Sequence, residues 1–377
     1  MMGTGFNKMK RMDELEKFGY SDFFETSRAA AGLADFSVGR VTAEFRGGYK
    51  VVNQNGEFVA KITGKQMFGA VSREDFPAVG DWLAIEELGE GQAVVRGILP
   101  RRTVIKRKYS NKEDIQIIAA NVDVAFVVES VDRDYNLNRF ERYLAIARDG
   151  GVTPVIVLNK IDLLSEEEIR ARQEELQNRF EGVGVVLTST ASEVGLEELK
   201  NHIESGKTYC FLGSSGVGKS SLINKLIGEA VIKTENIGES TGRGKHATTS
   251  REMYFLQAQR SLGEVGYSGG GIVIDNPGMR EVGVADVAGG IEDLFEVIVA
   301  LAKKCKYVDC THTREPGCAV LKAVRAGKVD ENKYRNYVGL KKEVEFYEMN
   351  ALERRRKDRN FGKMVKGAKK MLREMEE

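Results

Sequence analysis

Gly213-Ser214-Ser215-Gly216-Val217-Gly218-Lys219-Ser220 places a lysine and a hydroxyl directly after a glycine-rich bend. Consecutive backbone N–H groups in such a loop can turn inward and cradle phosphate oxygens. Lys219 then reaches the β- and γ-phosphates of a nucleotide, where it assists the chemistry, and the Ser220 hydroxyl can ligate Mg²⁺. Gly213 through Ser221 are therefore the candidate triphosphate contacts. Asn159-Lys160-Ile161-Asp162 offers a second chemistry. The Asp162 carboxylate can accept from two donors on the guanine edge. Adenine lacks that pair and would leave the carboxylate buried and unpaired. Asn159 can bond the base and brace its loop, and Lys160 can lay its stem over the ring. The four-residue pattern is weak alone, but beside a phosphate loop it favours GTP over ATP.

Two further clusters complete the chemistry. Asp275-Asn276-Pro277-Gly278 follows an apolar run. Asp275 is placed to hold Mg²⁺ through water, and the Gly278 N–H to meet the γ-phosphate. Within the polar stretch 231–252, a threonine hydroxyl can complete the Mg²⁺ shell; Thr249 is favoured, with Thr248 close behind. Met279 cannot orient an attacking water, so that role falls to His246 in the same stretch. So polar a segment orders when something binds. Cys305-x4-Cys310-x-His312-x5-Cys318 supplies three thiolates and an imidazole, gathering three of the four cysteines and one of the three histidines. Cys₃His is a full tetrahedral zinc set with no open position for a catalytic water, which points to a structural ion.

These groups need strands and helices to hold them. Tyr209-Cys210-Phe211-Leu212 reads as a buried strand entering the phosphate loop, and Ser221 to Ile227 as the helix leaving it. Val122 to Val128 and Thr153 to Leu158 are apolar runs of the parallel-sheet kind, with a helical pattern at 137–147 between them. Asn159 thus sits at the carboxyl end of a strand, where open α/β sheets bind ligands. Val185 to Thr190 is a further strand whose end, around Ser189, could offer backbone N–H groups to the guanine carbonyl. Residues 37–105 differ: about five short β-rich runs, with a hairpin signal at Asn55-Gly56, suggest a small barrel of the oligonucleotide-binding (OB) type. The run Arg101 to Lys108 forms a basic exit from it that could contact phosphate.

The fold class expected is multidomain α/β. A helical lead-in (1–36) precedes an OB-type β-barrel (37–108). A GTPase domain follows (109–285), mostly parallel sheet with helices on both faces. A helical zinc-binding domain (286–350) and a basic tail (351–377) end the chain. In a small GTPase the phosphate loop comes first and Asn-Lys-x-Asp late; here the order is reversed, as in a circular permutation, which surface termini make physically tolerable. The cut sets the γ-phosphate-sensing segment directly before the zinc domain, so nucleotide state could pull on that domain through the backbone. Across 377 residues, 57 Lys and Arg face 56 Asp and Glu, so the net charge of +1 gives no whole-chain attraction to nucleic acid. No apolar run reaches a membrane span, and Met1 to Lys8 lacks a signal peptide's apolar stretch. A cytoplasmic monomer without a membrane partner is expected.

Taken with the permuted order, five features resemble the ribosome small-subunit-dependent GTPase A family: the barrel; Asn159 to Asp162; Gly213 to Ser220; Gly242-Arg243-Gly244-Lys245-His246 with Asp275-Asn276-Pro277-Gly278-Met279-Arg280-Glu281; and the cysteine cluster with Thr311, Thr313 and Gly317. The resemblance implies a slow GTPase using GTP with Mg²⁺ and stimulated by the small ribosomal subunit. It implies a zinc domain contacting rRNA, and a late-assembly role in checking or releasing factors near the decoding region. The family's loop histidine maps to His246. This chain has Ala247 where the family usually has threonine, Asn276 where it has threonine, and a longer segment at 257–271. Two other readings compete: a nucleotide-gated RNA-binding assembly module in which hydrolysis is incidental, and an ATPase with a chance Asn-Lys-x-Asp.

Overall fold

The structure, a computed structural model, describes residues 14–108, 115–132, 135–228, 232, 251–257, 269–276 and 288–348. The chain divides into two compact units, residues 1–282 and 283–377. Among the described residues no helix is long and apolar enough to cross a membrane.

Unit 1 opens on helix α1 (Asp22–Ala30), with Asp22 and Glu25 in its first turn and Arg28 in its last, charges that suit the helix dipole. Leu15, Tyr20 and Phe24 of this lead-in are buried against Trp82, with the Tyr20 and Trp82 ring centroids 4.7 Å apart. The barrel follows: β1 (Ser37–Phe45), β2 (Gly48–Asn53), β3 (Gly56–Lys61), β4 (Trp82–Gly89) and β5 (Gln92–Ile98). Helix α2 (Gly64–Gly69), closed by a reciprocal Thr63–Gln66 cap, lies between β3 and β4. Strands pair in the order β1-β2-β3-β5-β4, and β4 returns to β1, closing the barrel. The β3–β5 pair is parallel and the others are antiparallel, the OB arrangement. Val41, Val51, Phe58, Ala60, Leu83, Ile85 and Val95 alternate inward to fill it.

The basic run after the barrel turns inward. β6 (Val104–Lys108) pairs with β7 (Ile115–Ala120) as a separate antiparallel ribbon. Arg101 grips the buried Asp81 carboxylate with two bonds, Nε to Oδ1 at 2.8 Å and Nη2 to Oδ2 at 2.7 Å. Arg102 pairs with Asp123 at 2.7 Å and Lys106 with Glu74 at 2.9 Å. These three cations of the segment pair with carboxylates of their own chain.

The α/β region contains β8 (Val124–Ser130), α3 (Leu137–Asp149), β9 (Thr153–Asn159), α4 (Glu166–Arg179), β10 (Gly184–Leu187), α5 (Leu196–Asn201), β11 (Thr208–Leu212), α6 (Lys219–Ile227), β12 (Glu252–Gln257) and β13 (Gly269–Asp275). The parallel strands run β10-β9-β8-β11-β13. β12, a strand the sequence pattern did not separate from the polar stretch before it, pairs antiparallel with β13. It also pairs with β1, so barrel and α/β sheet form one continuous eleven-stranded sheet. Phe126, Tyr209 and Phe211 pack one face, with the Phe126 and Tyr209 rings stacked 5.4 Å apart.

Arg40, on β1, fastens these parts together. It is fully buried, and its guanidinium donates to Phe18 O of the lead-in, Gly80 O of the barrel at 3.4 Å, Asn121 O at 3.2 Å and Thr208 Oγ1 at 2.8 Å. Burial pushes its pKa down to about 10, against the pull of Asp123 and Asp81.

Unit 2 comprises α7 (Ala288–Leu294), α8 (Glu296–Ala302), α9 (Ala319–Arg325) and α10 (Glu331–Glu348). Ile291, Phe295, Ile298, Val320, Tyr337 and Leu340 are buried within it, with the Phe295 and Tyr337 rings 5.4 Å apart.

Arg40→Leu strips the donor from three carbonyls and a hydroxyl in a dry setting. It should lower unit 1 stability by about 3 kcal/mol, read as a fall in the urea midpoint. Arg40→Lys should restore only part of this, because one ammonium cannot span the same fork.

Candidate functional site

The phosphate loop runs from the end of β11 into α6. Gly213 takes φ +149°, and a Cβ there would lie 2.1 Å from Val128 O. Ser214 and Ser215 are half-buried, Gly216 is exposed, and Val217 anchors the loop in the core. Gly218 takes φ +98° just before α6, and a Cβ on it would lie 2.2 Å from Asn159 Nδ2. Ser220 and Ser221 sit half-buried in the first helical turn, where N–H groups lack helical partners. Lys219 arches back over the loop, its Nζ donating to Gly213 O at 2.9 Å and Ser214 O at 2.6 Å. Burial pushes its pKa down to about 8, opposed by the carboxylates of Asp275 and Glu129. Asp275, buried at the end of β13, is pushed up to about 6 by burial, with Lys219 pulling the other way. The ammonium of Lys219 and the carboxylate of Asp275 thus feel each other's charge. The Asn276 side chain next to Asp275 is buried, and its amide finds no hydrogen-bond partner among the described residues.

The base-reading motif meets this loop directly. Asn159, at the end of β9, is fully buried and donates from Nδ2 to Val217 O at 2.9 Å. Its Oδ1 accepts from the Thr188 hydroxyl at 3.1 Å. Lys160 is left-handed at φ +64°, a bend that starts the short helical turn Ile161–Leu163 and carries Asp162. The Ser189 hydroxyl donates to Asp162 Oδ1. That oxygen of Ser189 in turn accepts from Ala191 N at 3.2 Å and Ser192 N at 3.1 Å. Ser189's own N–H is bound to Val194 O at 2.9 Å. Ser189's N–H is thus engaged within its own loop, and its hydroxyl braces the Asp162 carboxylate.

Sequence reasoning missed Thr188 as the partner of Asn159 and Asp132 as the partner of Lys160, because both come from other strands. Of the remaining candidates, His246, Thr248, Thr249, Gly278 and the segment Gly242 to Lys245 lie outside the described residues.

In unit 2 the ligand atoms of Cys305, Cys310, His312 and Cys318 all lie within 4.8 Å of one another. Cys305 Sγ is 3.8 Å from Cys318 Sγ and 3.6 Å from His312 Nδ1, and Cys318 Sγ is 3.5 Å from His312 Nδ1. A tetrahedral zinc with the usual bond lengths has edges of roughly 3.4–3.8 Å, so the donor set fits that ion. The loop between ligands is organised around Glu315. Its carboxylate accepts from Thr311 N at 3.0 Å, Thr313 N at 2.9 Å and Arg314 N at 3.0 Å, and from the Thr311 hydroxyl, which hold its pKa down at about 2. Tyr334 donates to His312 O at 2.6 Å, fixing the left-handed His312 backbone.

Gly218→Ala combines a left-handed backbone with a methyl driven onto the Asn159 amide. Strain of about 1–3 kcal/mol should weaken GDP binding roughly 10- to 100-fold, measured by fluorescent-nucleotide displacement. Removing metal with a chelator should release about one zinc per chain and melt unit 2 helicity while leaving nucleotide binding by unit 1 intact, followed by circular dichroism and metal analysis.

A family model described as RsgA GTPase matches residues 98–285. The chain is 40% identical over 348 residues to the small ribosomal subunit biogenesis GTPase RsgA 2 of Listeria monocytogenes serotype 4b (strain F2365), covering 92% of this chain and 94% of that one. It is 35% identical over 361 residues to RsgA 1 of Bacteroides thetaiotaomicron, covering 95% and 97%. Among solved structures, YjeQ from Thermotoga maritima matches with a TM-score of 0.56 at 28% identity, over 81% of this chain and 98% of that one. YloQ, a circularly permuted GTPase, matches in fold with a TM-score of 0.54 at 22% identity, over 84% and 97%. The match runs along nearly the full length of these relatives, and the chain belongs to the RsgA GTPase family.

Proposed function

We propose that this GTPase acts in late maturation of the small ribosomal subunit, hydrolysing GTP to GDP and phosphate and coupling nucleotide state to release from the subunit. The observation that carries the nucleotide part is the Asn159 Nδ2 to Val217 O bond at 2.9 Å, which sets base-reading and phosphate-holding loops side by side. In this reading Asn159, Lys160 and Asp162 take the guanine, with Ser189 bracing Asp162. Gly213 to Ser221 and Gly278 take the phosphates. Lys219 neutralises charge that builds on the transferred phosphoryl group. Ser220 and Asp275, with Thr249, would hold Mg²⁺, which supplies charge neutralisation at the phosphates, and His246 would position the attacking water.

The small-subunit assignment is supported by the names of the Listeria and Bacteroides relatives, both small ribosomal subunit biogenesis GTPases. Support for rRNA contact comes from unit 2, where Lys303, Lys304 and Lys306 make no salt bridge among the described residues and stand next to the exposed Tyr307 and Val308. Cations with no carboxylate partner among the described residues, one of them, Lys306, over the Tyr307 ring, suit phosphate and base contacts of RNA. The zinc would hold this surface in shape, and the protein would act as a cytoplasmic monomer. A second reading is a nucleotide-gated RNA-binding module, favoured by Met279, which cannot orient water.

Single-turnover GTP hydrolysis with and without small subunits separates the two. We expect clear acceleration by subunits, abolished in Lys219→Ala, with His246→Ala slowing turnover while GTP binding is retained. Absence of any acceleration would support the gated module instead.

A further inference from the structure

Lys160 has the longest and most flexible side chain of Asn159-Lys160-Ile161-Asp162, and nothing in the motif itself tells it which way to lie. A neighbouring strand does. Ser130 and Asn159 are register partners in the parallel pair β8–β9, and Val131 N donates to Asn159 O at 3.2 Å just beyond them. Asp132 follows on the β8 side and Lys160 on the β9 side. Lys160 Nζ donates to Asp132 Oδ2 at 2.7 Å, and Ser130 Oγ donates to Asp132 Oδ1 at 2.6 Å. The carboxylate is thus clamped from below by a buried hydroxyl and takes the ammonium above. The left-handed backbone at Lys160 fixes the other end of the stem.

The pair is partly exposed, 18% for Lys160 and 32% for Asp132, so it adds little to global stability. Its effect is on direction. A lysine ordered only when nucleotide arrives would lose rotamer freedom at that moment, which weakens binding; one already held has lost it beforehand.

We propose that Asp132 is a positioning residue for guanine-nucleotide binding, holding Lys160 so that its aliphatic stem forms a ready-made face for the base. The inference rests on the reading of residues 159–162 as the base site. The contact is with the ring face, so it is indifferent to the 2-amino group that Asp162 reads on the edge.

The test is displacement of fluorescent GDP from the full chain by GDP and by IDP, which lacks the 2-amino group. Asp132→Ala should weaken both nucleotides by about five- to tenfold, leaving the GDP:IDP ratio and the melting temperature at parent values. Asp132→Glu should recover part of the loss. Lys160→Met keeps a stem but no ammonium, and adding Asp132→Ala to it should cost nothing further, the mark of two residues acting as one. The proposal is overturned if Asp132→Ala binds GDP like the parent, if the ratio moves, or if the Asp132→Ala loss persists undiminished on the Lys160→Met background. Failure of the base-site reading is distinguishable: Asp162→Ala would then bind GDP as tightly as the parent, and the proposal would fall with it.

Discussion

A single buried amide organises the nucleotide cleft. Asn159 gives its N–H to the phosphate loop at Val217 and takes the Thr188 hydroxyl on its oxygen, so one side chain spans three separate loops. Both of its polar ends are satisfied in a dry setting, where a missing partner would be costly. The same amide explains Gly218: no side chain can stand where the Asn159 nitrogen approaches the backbone. This bond also makes the order of the chain unimportant. Residues 159 and 217 meet from the ends of β9 and β11, which flank β8 in one sheet, and a sheet is built equally well whichever strand the ribosome makes first.

The barrel is integrated with this sheet. Arg40 donates into the lead-in, the barrel, the entry to β8 and the first residue of β11, the strand that ends in the phosphate loop. A buried guanidinium with no carboxylate at hydrogen-bond distance is an expensive choice, visible in its lowered pKa. What it gains is a fan of donors that reaches four acceptors from one point. Arg101 and Asp81 do a parallel job close beside it, turning the basic exit into an internal brace.

The contiguous chemistry was legible in the sequence. Gly213 to Ser220, Asn159 to Asp162 and the cysteine set each carry their ligand groups within one short stretch, where spacing alone dictates geometry. The five barrel strands and the α/β alternation were legible from β-rich runs and apolar periodicity. The groups that position this chemistry were not. Asp132, Thr188 and Arg40 work through contacts between segments far apart in the chain, and no local pattern encodes a partner 22 to 168 residues away. β12 was hidden because Met253-Tyr254-Phe255-Leu256 directly follows a long polar stretch and reads as its end. The basic run at 101–108 was read by its sign, while its partners Asp81, Asp123 and Glu74 lie in other segments.

β12 has a mechanical consequence. Its residue Glu252 stands level with Ala43 of the barrel on one side and with Asp275 on the other. Two strand spacings, about 10 Å, therefore separate the barrel wall from the carboxylate at the end of β13. The barrel wall and the end of β13 are thus joined sideways by backbone pairing, through the Ala43–Glu252 pair and the β12–β13 ladder, as well as along the chain. The barrel is thereby stitched to the near edge of the parallel sheet, two strands from β13, with β10 at the opposite edge.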